Sequence, residues 1–215
     1  MNRPRVILKL ATSLDGRIAT AAGESRWITG EQARAEVHRM RAAVDAVMIG
    51  AGTARADDPS LLARTEPAPR RQPARVVVSS RFDIPKGKLF ADVTISPLIV
   101  FGAEGADAGA LQGAEIDYAP LADAGVDIEA VLARLAKRGI GRVLTEGGGT
   151  LAASLIAAGL VDRLEWFRAP IVLGAAGRPA VAALTLAHLS DAPRFGRVAV
   201  RELGPDLWES YERAL

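Results

Sequence analysis

A carboxylate and a glycine-rich turn stand together in the second half of the chain. Residues 142–145 have the apolar character of a strand, Glu146 ends it, and three glycines at 147–149 precede a predicted helix. Exposed N–H groups at a helix N-terminus favour an anion, and glycine lets a phosphate approach the backbone. A carboxylate at the carboxyl end of a strand lies where open α/β sheets bind ligands. The pattern favours a dinucleotide site, and a plain strand-to-helix connection remains an alternative.

A lysine interrupts the first apolar segment of the chain. Residues 6–11 form a predicted strand, and Lys9 stands inside it. A charged side chain in an apolar strand is costly unless it reaches solvent, a partner or a ligand. Lys9 is therefore either a ligand contact or an edge-strand lysine whose ammonium group reaches water.

Two arginines have the chemistry to bind a phosphate. Arg41 stands on the first predicted helix, and Arg64 follows the segment DDPSL at 57–61. The planar guanidinium group binds phosphate through two parallel hydrogen bonds. Taken on residue type alone, two surface arginines in an arginine-rich chain are the simpler interpretation.

Three further positions have alternative interpretations. Ser80 and Arg81 follow a strand, so they form either a polar strand exit or a site for the 2′-phosphate that separates NADP from NAD. Trp27 precedes a predicted capping box at Thr29 and Gln32, and it packs on a cofactor, in the core or as a hydrophobic staple at the helix start. The segment GAGTAR at 50–55 lacks the third glycine of a dinucleotide fingerprint, which argues against a standard Rossmann dehydrogenase.

The elements that carry these residues alternate along the chain. Strands are predicted at residues 6–11, 46–49, 75–78, 98–101, 115–118, 142–145 and 164–168. Helices are predicted after Thr29, after Asp127 and over residues 150–158, and residues 195–203 and 207–211 predict a hairpin. This order favours an α/β fold with a mostly parallel central sheet and an antiparallel C-terminal hairpin. With neither a repeat nor a dividing linker, residues 1–215 are expected to form one domain.

Composition excludes several classes of function. The formal net charge is only +2, from 27 basic and 25 acidic residues, which argues against nucleic acid as a partner. The chain has no cysteine, so thiol catalysis and cysteine–zinc sites are excluded, and two distant histidines, His38 and His188, make a metal site improbable. We expect neither a signal peptide nor a membrane span, and a cytoplasmic location fits the absence of disulfides.

The motifs taken together resemble one family. Residues 8–19 (LKLATSLDGRIA), 23–29 (GESRWIT), 56–61 (ADDPSL) and 146–152 (EGGGTLA) are similar to the reductase domain of bacterial riboflavin-biosynthesis deaminase-reductases. Arg41, the pair at 52–53, Arg64, the segment at 159–162 and the pair at 169–170 fit in the same order. The combination is specific, although no single motif is.

This resemblance implies a three-layer dihydrofolate-reductase-like fold, a homodimer and a reaction. The reaction is NADPH-dependent reduction of 5-amino-6-(5-phosphoribosylamino)uracil to the ribitylamino compound, with hydride transfer to C1′ of the ribose. Substrate-binding positions would be Ser25, Arg41, Leu61 and Arg64, with the two arginines on the 5′-phosphate. Catalytic positions near the ribose would be Lys9 and Glu146. Cofactor-binding positions would be Thr12, Trp27, Thr53, Asp57, Ser80, Arg81, Gly147, Gly148, Gly149, Thr150 and Leu151.

Departures from the family pattern keep alternatives open. The chain begins where the reductase domain begins and has no cysteine, so we expect no zinc deaminase domain. The three glycines at 147–149 occupy a turn where the family often has Ala, Gly and Pro. The residues WFR at 166–168 are also unusual for the family. The alternatives are a dihydrofolate or pterin reductase of the same fold and a non-catalytic NADP(H)-binding paralogue. The retained charged groups argue against the paralogue, and a pterin has no 5′-phosphate for Arg41 and Arg64.

Overall fold

Strands and helices alternate through most of the chain. The computed structural model describes residues 3–109, 111–123 and 125–214. Contacts group the described residues into two units. The described residues within Met1–Arg5 and His38–Thr145 form unit 1, and those within Val6–Val37 and Glu146–Leu215 form unit 2. In the described part of the chain, no helix is both long enough and apolar enough to cross a membrane.

Unit 1 is built on parallel strands that run in the order β9-β3-β4-β5-β6. Its elements are β3 (Ala46–Gly50), α2 (Ala51–Asp57), β4 (Ala74–Val78), α3 (Lys88–Ala91), β5 (Leu98–Ala103), β6 (Glu115–Ala119), β7 (Leu121–Ala122), β8 (Gly125–Val126), α4 (Ile128–Lys137) and β9 (Arg142–Glu146, whose last residue belongs to unit 2). The short runs of Val, Ile and Leu in β3, β4 and β5 are buried on both faces, as parallel strands require.

A buried arginine ties the core of unit 1 together. Arg75 of β4 is 0% exposed, and its guanidinium group donates hydrogen bonds to the carbonyl oxygens of Leu89 (2.6 Å) and Ser96 (2.7 Å). Burial lowers the pKa of Arg75 from its ordinary value, and the nearby carboxylate of Asp92 opposes that change. Arg75 therefore satisfies carbonyl groups of α3 and of the segment before β5 that water cannot reach.

Unit 2 combines parallel and antiparallel strands in the order β12-β13-β10-β1. Its elements are β1 (Arg5–Thr12, whose first residue belongs to unit 1), β2 (Arg17–Ala19), α1 (Glu31–Ala42, which continues into unit 1), α5 (Gly149–Ala157), β10 (Arg163–Arg168), β11 (Arg178–Pro179), a 3₁₀ turn (Leu189–Asp191), β12 (Phe195–Leu203) and β13 (Asp206–Arg213). β2 and β11 form a small antiparallel pair.

Most predicted elements are confirmed with small shifts at their ends. The α/β class, the mostly parallel strands and the antiparallel hairpin of β12 and β13 are all present. Asp127 caps α4, because its carboxylate accepts hydrogen bonds from the N–H groups of Glu129 and Ala130. α1 begins at Glu31, one residue later than a cap at Thr29 predicts.

One local prediction was incomplete. The sequence predicts no helix directly after β3, and residues there form α2, with Gly50 as its N-cap residue. A seven-residue helix has too few apolar positions to show a helical period, and most residues of α2 are small or polar.

Candidate active site

The carboxyl ends of β3 and β9 lie side by side in unit 1. Met48 pairs with Thr145, and the sheet extends from β3 through β4 and β5 on the side away from β9. Open α/β sheets bind ligands beyond the carboxyl ends of their parallel strands. α2 begins directly after β3, so Thr53 lies in its first turn and Asp57 at its end, both half-buried.

A buried hydroxyl lies at the end of β9. Thr145 is 0% exposed, and its Oγ1 has no hydrogen-bond partner among the residues that the structure describes. Buried polar atoms are nearly always paired, so the Thr145 hydroxyl, just before Glu146, is available to hydrogen-bond a water molecule or a ligand atom.

Ser80 and Arg81 lie at the carboxyl end of β4. The carbonyl oxygen of Ser80 accepts a hydrogen bond from the N–H of Ala103 (3.2 Å), the last residue of β5. The Ser80 hydroxyl borders Gly125, where an added Cβ would lie 3.1 Å from Oγ. Arg81 is exposed. A hydroxyl and a guanidinium group thus lie just beyond the carboxyl end of β4, and their contact with a 2′-phosphate remains a prediction.

Arg41, Leu61 and Arg64 are brought together in unit 1. Nη1 of Arg41 donates a hydrogen bond to the carbonyl oxygen of Leu62 (3.1 Å). The backbone N–H of Arg64 donates to Nδ1 of His38, three residues before Arg41 on the same helix (3.2 Å). Both arginines are therefore held by one face of α1 and one short segment, which we call the arginine loop (residues 61–64).

Leu61 anchors the arginine loop. It is 2% exposed, belongs to the apolar core of unit 1 and has a φ of 60°. A positive φ is uncommon for a leucine and persists only where the surroundings hold it. Leu61 therefore has a clear packing role, and the predicted substrate contact remains a prediction.

In unit 2, Lys9 and Thr12 extend from β1, three residues apart. The strand alternates between fully buried and half-buried positions, and Lys9 lies in the half-buried row. Thr12 is 0% exposed, and its Oγ1 accepts a hydrogen bond from Nε1 of Trp166 (2.8 Å) and donates one to the carbonyl oxygen of Ser13 (2.8 Å). The unusual Trp166 thus fixes the orientation of a predicted cofactor residue.

The glycine turn needs all three of its glycines, for two different reasons. Gly147 and Gly148 have φ values of 70° and 84°, a backbone conformation that residues other than glycine rarely adopt. Gly149 begins α5, and a Cβ there would lie 2.7 Å from the carbonyl oxygen of Pro179. Glu146, which precedes the turn, is buried at 8% exposure, and Leu151 is buried at 9%. Thr150, in the first turn of α5, is exposed.

Trp27 and Ser25 lie in the segment between β2 and α1. Trp27 is 69% exposed, and the guanidinium groups of Arg34 and Arg26 lie 4.6 and 5.9 Å from its ring centre. Ser25 is half-buried, and its carbonyl oxygen accepts a hydrogen bond from Ile28 (3.1 Å). A large exposed aromatic ring beside cations is an unusual surface feature and a suitable stacking platform for a flat anionic ligand.

Asp15 has a supporting role that the sequence did not reveal. Its carboxylate accepts hydrogen bonds from the Ser13 hydroxyl (2.6 Å) and from the N–H groups of Leu173 (3.1 Å) and Gly174 (2.7 Å). The bond from Ser13, followed by that from Leu173, lowers the pKa of Asp15 to about 2. Asp15 thus fixes the segment that leads to Pro179, the residue packed against Gly149.

His38 and Gln72 are the other supporting residues that were missed. Both bind the backbone of the arginine loop, Gln72 through two hydrogen bonds to Ala63. The one available signal was that His38 and Arg41 share a face of the predicted helix. Gln72 carried no signal, since only the folded loop brings it near Ala63.

The architecture is that of a dihydrofolate reductase. Dihydrofolate reductase from Enterococcus faecalis superposes with a TM-score of 0.55 at 15% identity, over 97% of this chain and 96% of that one. The structure of Acinetobacter baumannii RibD superposes more closely, with a TM-score of 0.86 at 30% identity, over 100% of this chain and 59% of that one. The predicted dihydrofolate-reductase-like fold is confirmed.

Within this class the chain belongs to the RibD C-terminal domain family, whose model matches residues 4–208. The riboflavin biosynthesis protein RibD of Bacillus amyloliquefaciens is 34% identical over 208 residues, which cover 95% of this chain and 56% of that protein. The chain thus spans a little over half the length of the RibD relatives it matches. The 2,5-diamino-6-ribosylamino-4(3H)-pyrimidinone 5′-phosphate reductase of Methanothermobacter thermautotrophicus is 37% identical over 216 residues, 97% of this chain and 98% of that protein. The resemblance inferred from the motifs is confirmed.

Proposed function

We propose that this protein is an NADPH-dependent reductase that reduces the ribosyl group of a 5′-phosphorylated ribosylaminopyrimidine in riboflavin biosynthesis. The observation that carries the proposal is that α1 and the arginine loop hold Arg41 and Arg64 near each other, through the hydrogen bonds from Arg41 to Leu62 and from the Arg64 backbone to His38. A pair of guanidinium groups held in this way is suited to a phosphate dianion. The named relatives from Methanothermobacter and the RibD proteins supply the substrate class.

The residues of this chain fit NADPH as the cofactor. Gly147 and Gly148 have positive φ values, which favour glycine at both positions. Because glycine has no side chain, a phosphate can approach the backbone N–H groups at the start of α5. The orphaned hydroxyl of Thr145 precedes that turn. Ser80 and Arg81 would bind the 2′-phosphate, and Trp27 would stack on a flat ring.

When bound, NADPH supplies the hydride, which adds to C1′ of the ribose. The bond between C1′ and the ring oxygen breaks, the electron pair stays on that oxygen, and the oxygen takes up one proton. Lys9 is the proposed source of positive charge and of that proton, because an ammonium group has three N–H donors. Glu146, at the carboxyl end of β9, would orient the ribose hydroxyls.

The test is NADPH consumption by purified protein with each of two substrates. One is the uracil compound and the other is the diaminopyrimidinone that carries the same ribose phosphate. We expect the wild type to turn over at least one of them. Arg64→Ala should raise the KM for that substrate and change the KM for NADPH little. Folded protein that consumes no NADPH with either compound would refute the proposal.

Two controls address the alternative functions. Dihydrofolate in the same assay tests a pterin-type reductase, and we expect no turnover because the arginine loop would have no phosphate to bind. NADPH affinity without turnover on any pyrimidine would instead support a binding paralogue.

The proposal includes a single-domain homodimer in the cytoplasm. The absence of cysteine from the sequence is compatible with a reducing compartment. Light scattering on the purified protein measures its mass directly, and a monomer at micromolar concentration would contradict the dimer. Calorimetry with one cooperative transition would support the single domain.

A further inference from the structure

We propose that His38 is a positioning residue for substrate phosphate, because it holds the backbone of the arginine loop through Nδ1. The inference rests on the proposed function of Arg41 and Arg64. His38 itself is not assigned a contact with substrate.

Three side chains bind the backbone of the arginine loop. Arg41 donates a hydrogen bond to the carbonyl oxygen of Leu62, and Nδ1 of His38 accepts one from the N–H of Arg64. Between them, the side-chain amide of Gln72 accepts from the N–H of Ala63 and donates to its carbonyl oxygen. The two bonds of Gln72 are 2.8 and 2.9 Å long. An irregular segment fixed at three consecutive residues presents its last side chain in a restricted range of directions.

The hydrogen bond to Nδ1 also determines where the imidazole proton lies. A neutral imidazole has one N–H, so a ring that accepts from the Arg64 amide at Nδ1 carries its proton on Nε2. Nη2 of Arg64 approaches Nε2 to 3.4 Å, and two donors cannot share a hydrogen bond. This approach is therefore a packing contact, which places the ring against one edge of the guanidinium group.

Two effects of His38 on the phosphate site follow. The imidazole ring fixes the Arg64 backbone. It also covers the Nη2 edge of the guanidinium group, which leaves the other N–H donors of that group to bind a ligand. Both effects reduce the freedom that Arg64 loses when a phosphate binds, which is a gain in affinity through preorganisation. The glycine turn and α5, which carry the predicted pyrophosphate contacts, belong to unit 2 and are not part of the arginine loop.

The experiment measures binding of ribose 5-phosphate and of NADPH separately, by calorimetric titration, in four variants. His38→Ala and His38→Leu remove the acceptor, and the leucine keeps most of the packed volume. His38→Asn retains an acceptor oxygen on the same branch of the side chain as Nδ1. His188→Ala is the matched control, because it changes the chain's other histidine in unit 2.

We expect both acceptor-free variants to raise the Kd for ribose 5-phosphate about five- to tenfold, the loss of one good hydrogen bond, with the Kd for NADPH unchanged. His38→Asn should restore most of the affinity, and His188→Ala should match the wild type. Unchanged ribose 5-phosphate binding in the alanine and leucine variants would overturn the inference. So would a parallel loss of both ligands without rescue by asparagine, since that pattern indicates damage to the fold.

The result also separates this inference from the proposed reaction. If the wild type binds ribose 5-phosphate through Arg64 but turns over neither pyrimidine, the reaction is wrong and the titrations still decide the role of His38. If the wild type turns over a pyrimidine but does not bind ribose 5-phosphate, the reaction stands and the role of His38 is refuted.

Discussion

Replacing Gly149 with alanine tests how the glycine turn is built. Gly149 is the first residue of α5, and a Cβ there would lie 2.7 Å from the carbonyl oxygen of Pro179 and 3.2 Å from the nitrogen of Ala182. Both are backbone atoms, so no flexible side chain can move aside. The helix cannot retreat freely either, because the N–H of Ala182 donates a hydrogen bond to the carbonyl oxygen of Gly149 (2.9 Å).

The expected cost follows from two opposing effects. Overpacking of this kind costs about 1–3 kcal/mol, whereas a helical glycine replaced by alanine gains about 0.4–1 kcal/mol. The sum predicts that Gly149→Ala lowers the free energy of unfolding by about 0–2.6 kcal/mol. Gly52→Ala is the matched control, since Gly52 also lies in the first turn of a helix and a Cβ there meets nothing within 4 Å. That variant should be stabilised by about 0.4–1 kcal/mol.

Urea unfolding of both variants without ligand gives the two free energies directly. The difference between them should be about 1–3 kcal/mol, because the helix contribution cancels. A Gly149→Ala protein that is as stable as the Gly52→Ala protein would refute the close packing of the turn against Pro179.

Three further variants test other parts of the structure. Arg75→Met leaves the carbonyl oxygens of Leu89 and Ser96 unpaired and should lower the free energy of unfolding by about 2–4 kcal/mol in urea, whereas an unchanged midpoint would contradict the buried network. Because the pKa of Asp15 falls from 3.8 to about 2 in the folded protein, its carboxylate stabilises the fold above pH 3.8, and this contribution disappears as the pH falls through about 2. The difference in thermal midpoint between the wild type and Asp15→Asn should therefore shrink between those pH values, and a constant difference would count against the hydrogen bonds. Lys9→Met should reduce kcat about 10²- to 10⁴-fold with NADPH affinity retained, and full activity would exclude Lys9 as a proton source.

The sequence predicted those elements whose physics is local. The apolar runs of β3, β4 and β5 and the capped, amphipathic α4 carry their own signals, so their positions were predictable to within a few residues. The hairpin of β12 and β13 was found because Gly204 and Pro205 interrupt two alternating segments. α2 was missed as a helix because its alanines, glycine and threonine define no apolar face.

The candidate site was predictable where residue type or the family motifs suggested chemistry. Lys9 and Glu146 were identified because charged groups at such places need a ligand or a partner, whereas Arg41 and Arg64 were identified through the family motifs. The contacts of His38 and Gln72 depend on the fold of the arginine loop, and the crowding at Gly149 depends on a segment thirty residues away. Contacts of this kind leave no periodic pattern in a single sequence.

The central claim is that the sugar, and not the base, is reduced. The direct measurement uses NADPH deuterated at C4 of the nicotinamide, with the phosphorylated ribosylaminopyrimidine, and locates the label by NMR and mass spectrometry. With the transferred position labelled, we expect deuterium at C1′ of a ribitylamino product. Deuterium on the pyrimidine ring, or NADPH consumption that leaves the ribose closed, would contradict the proposed reaction.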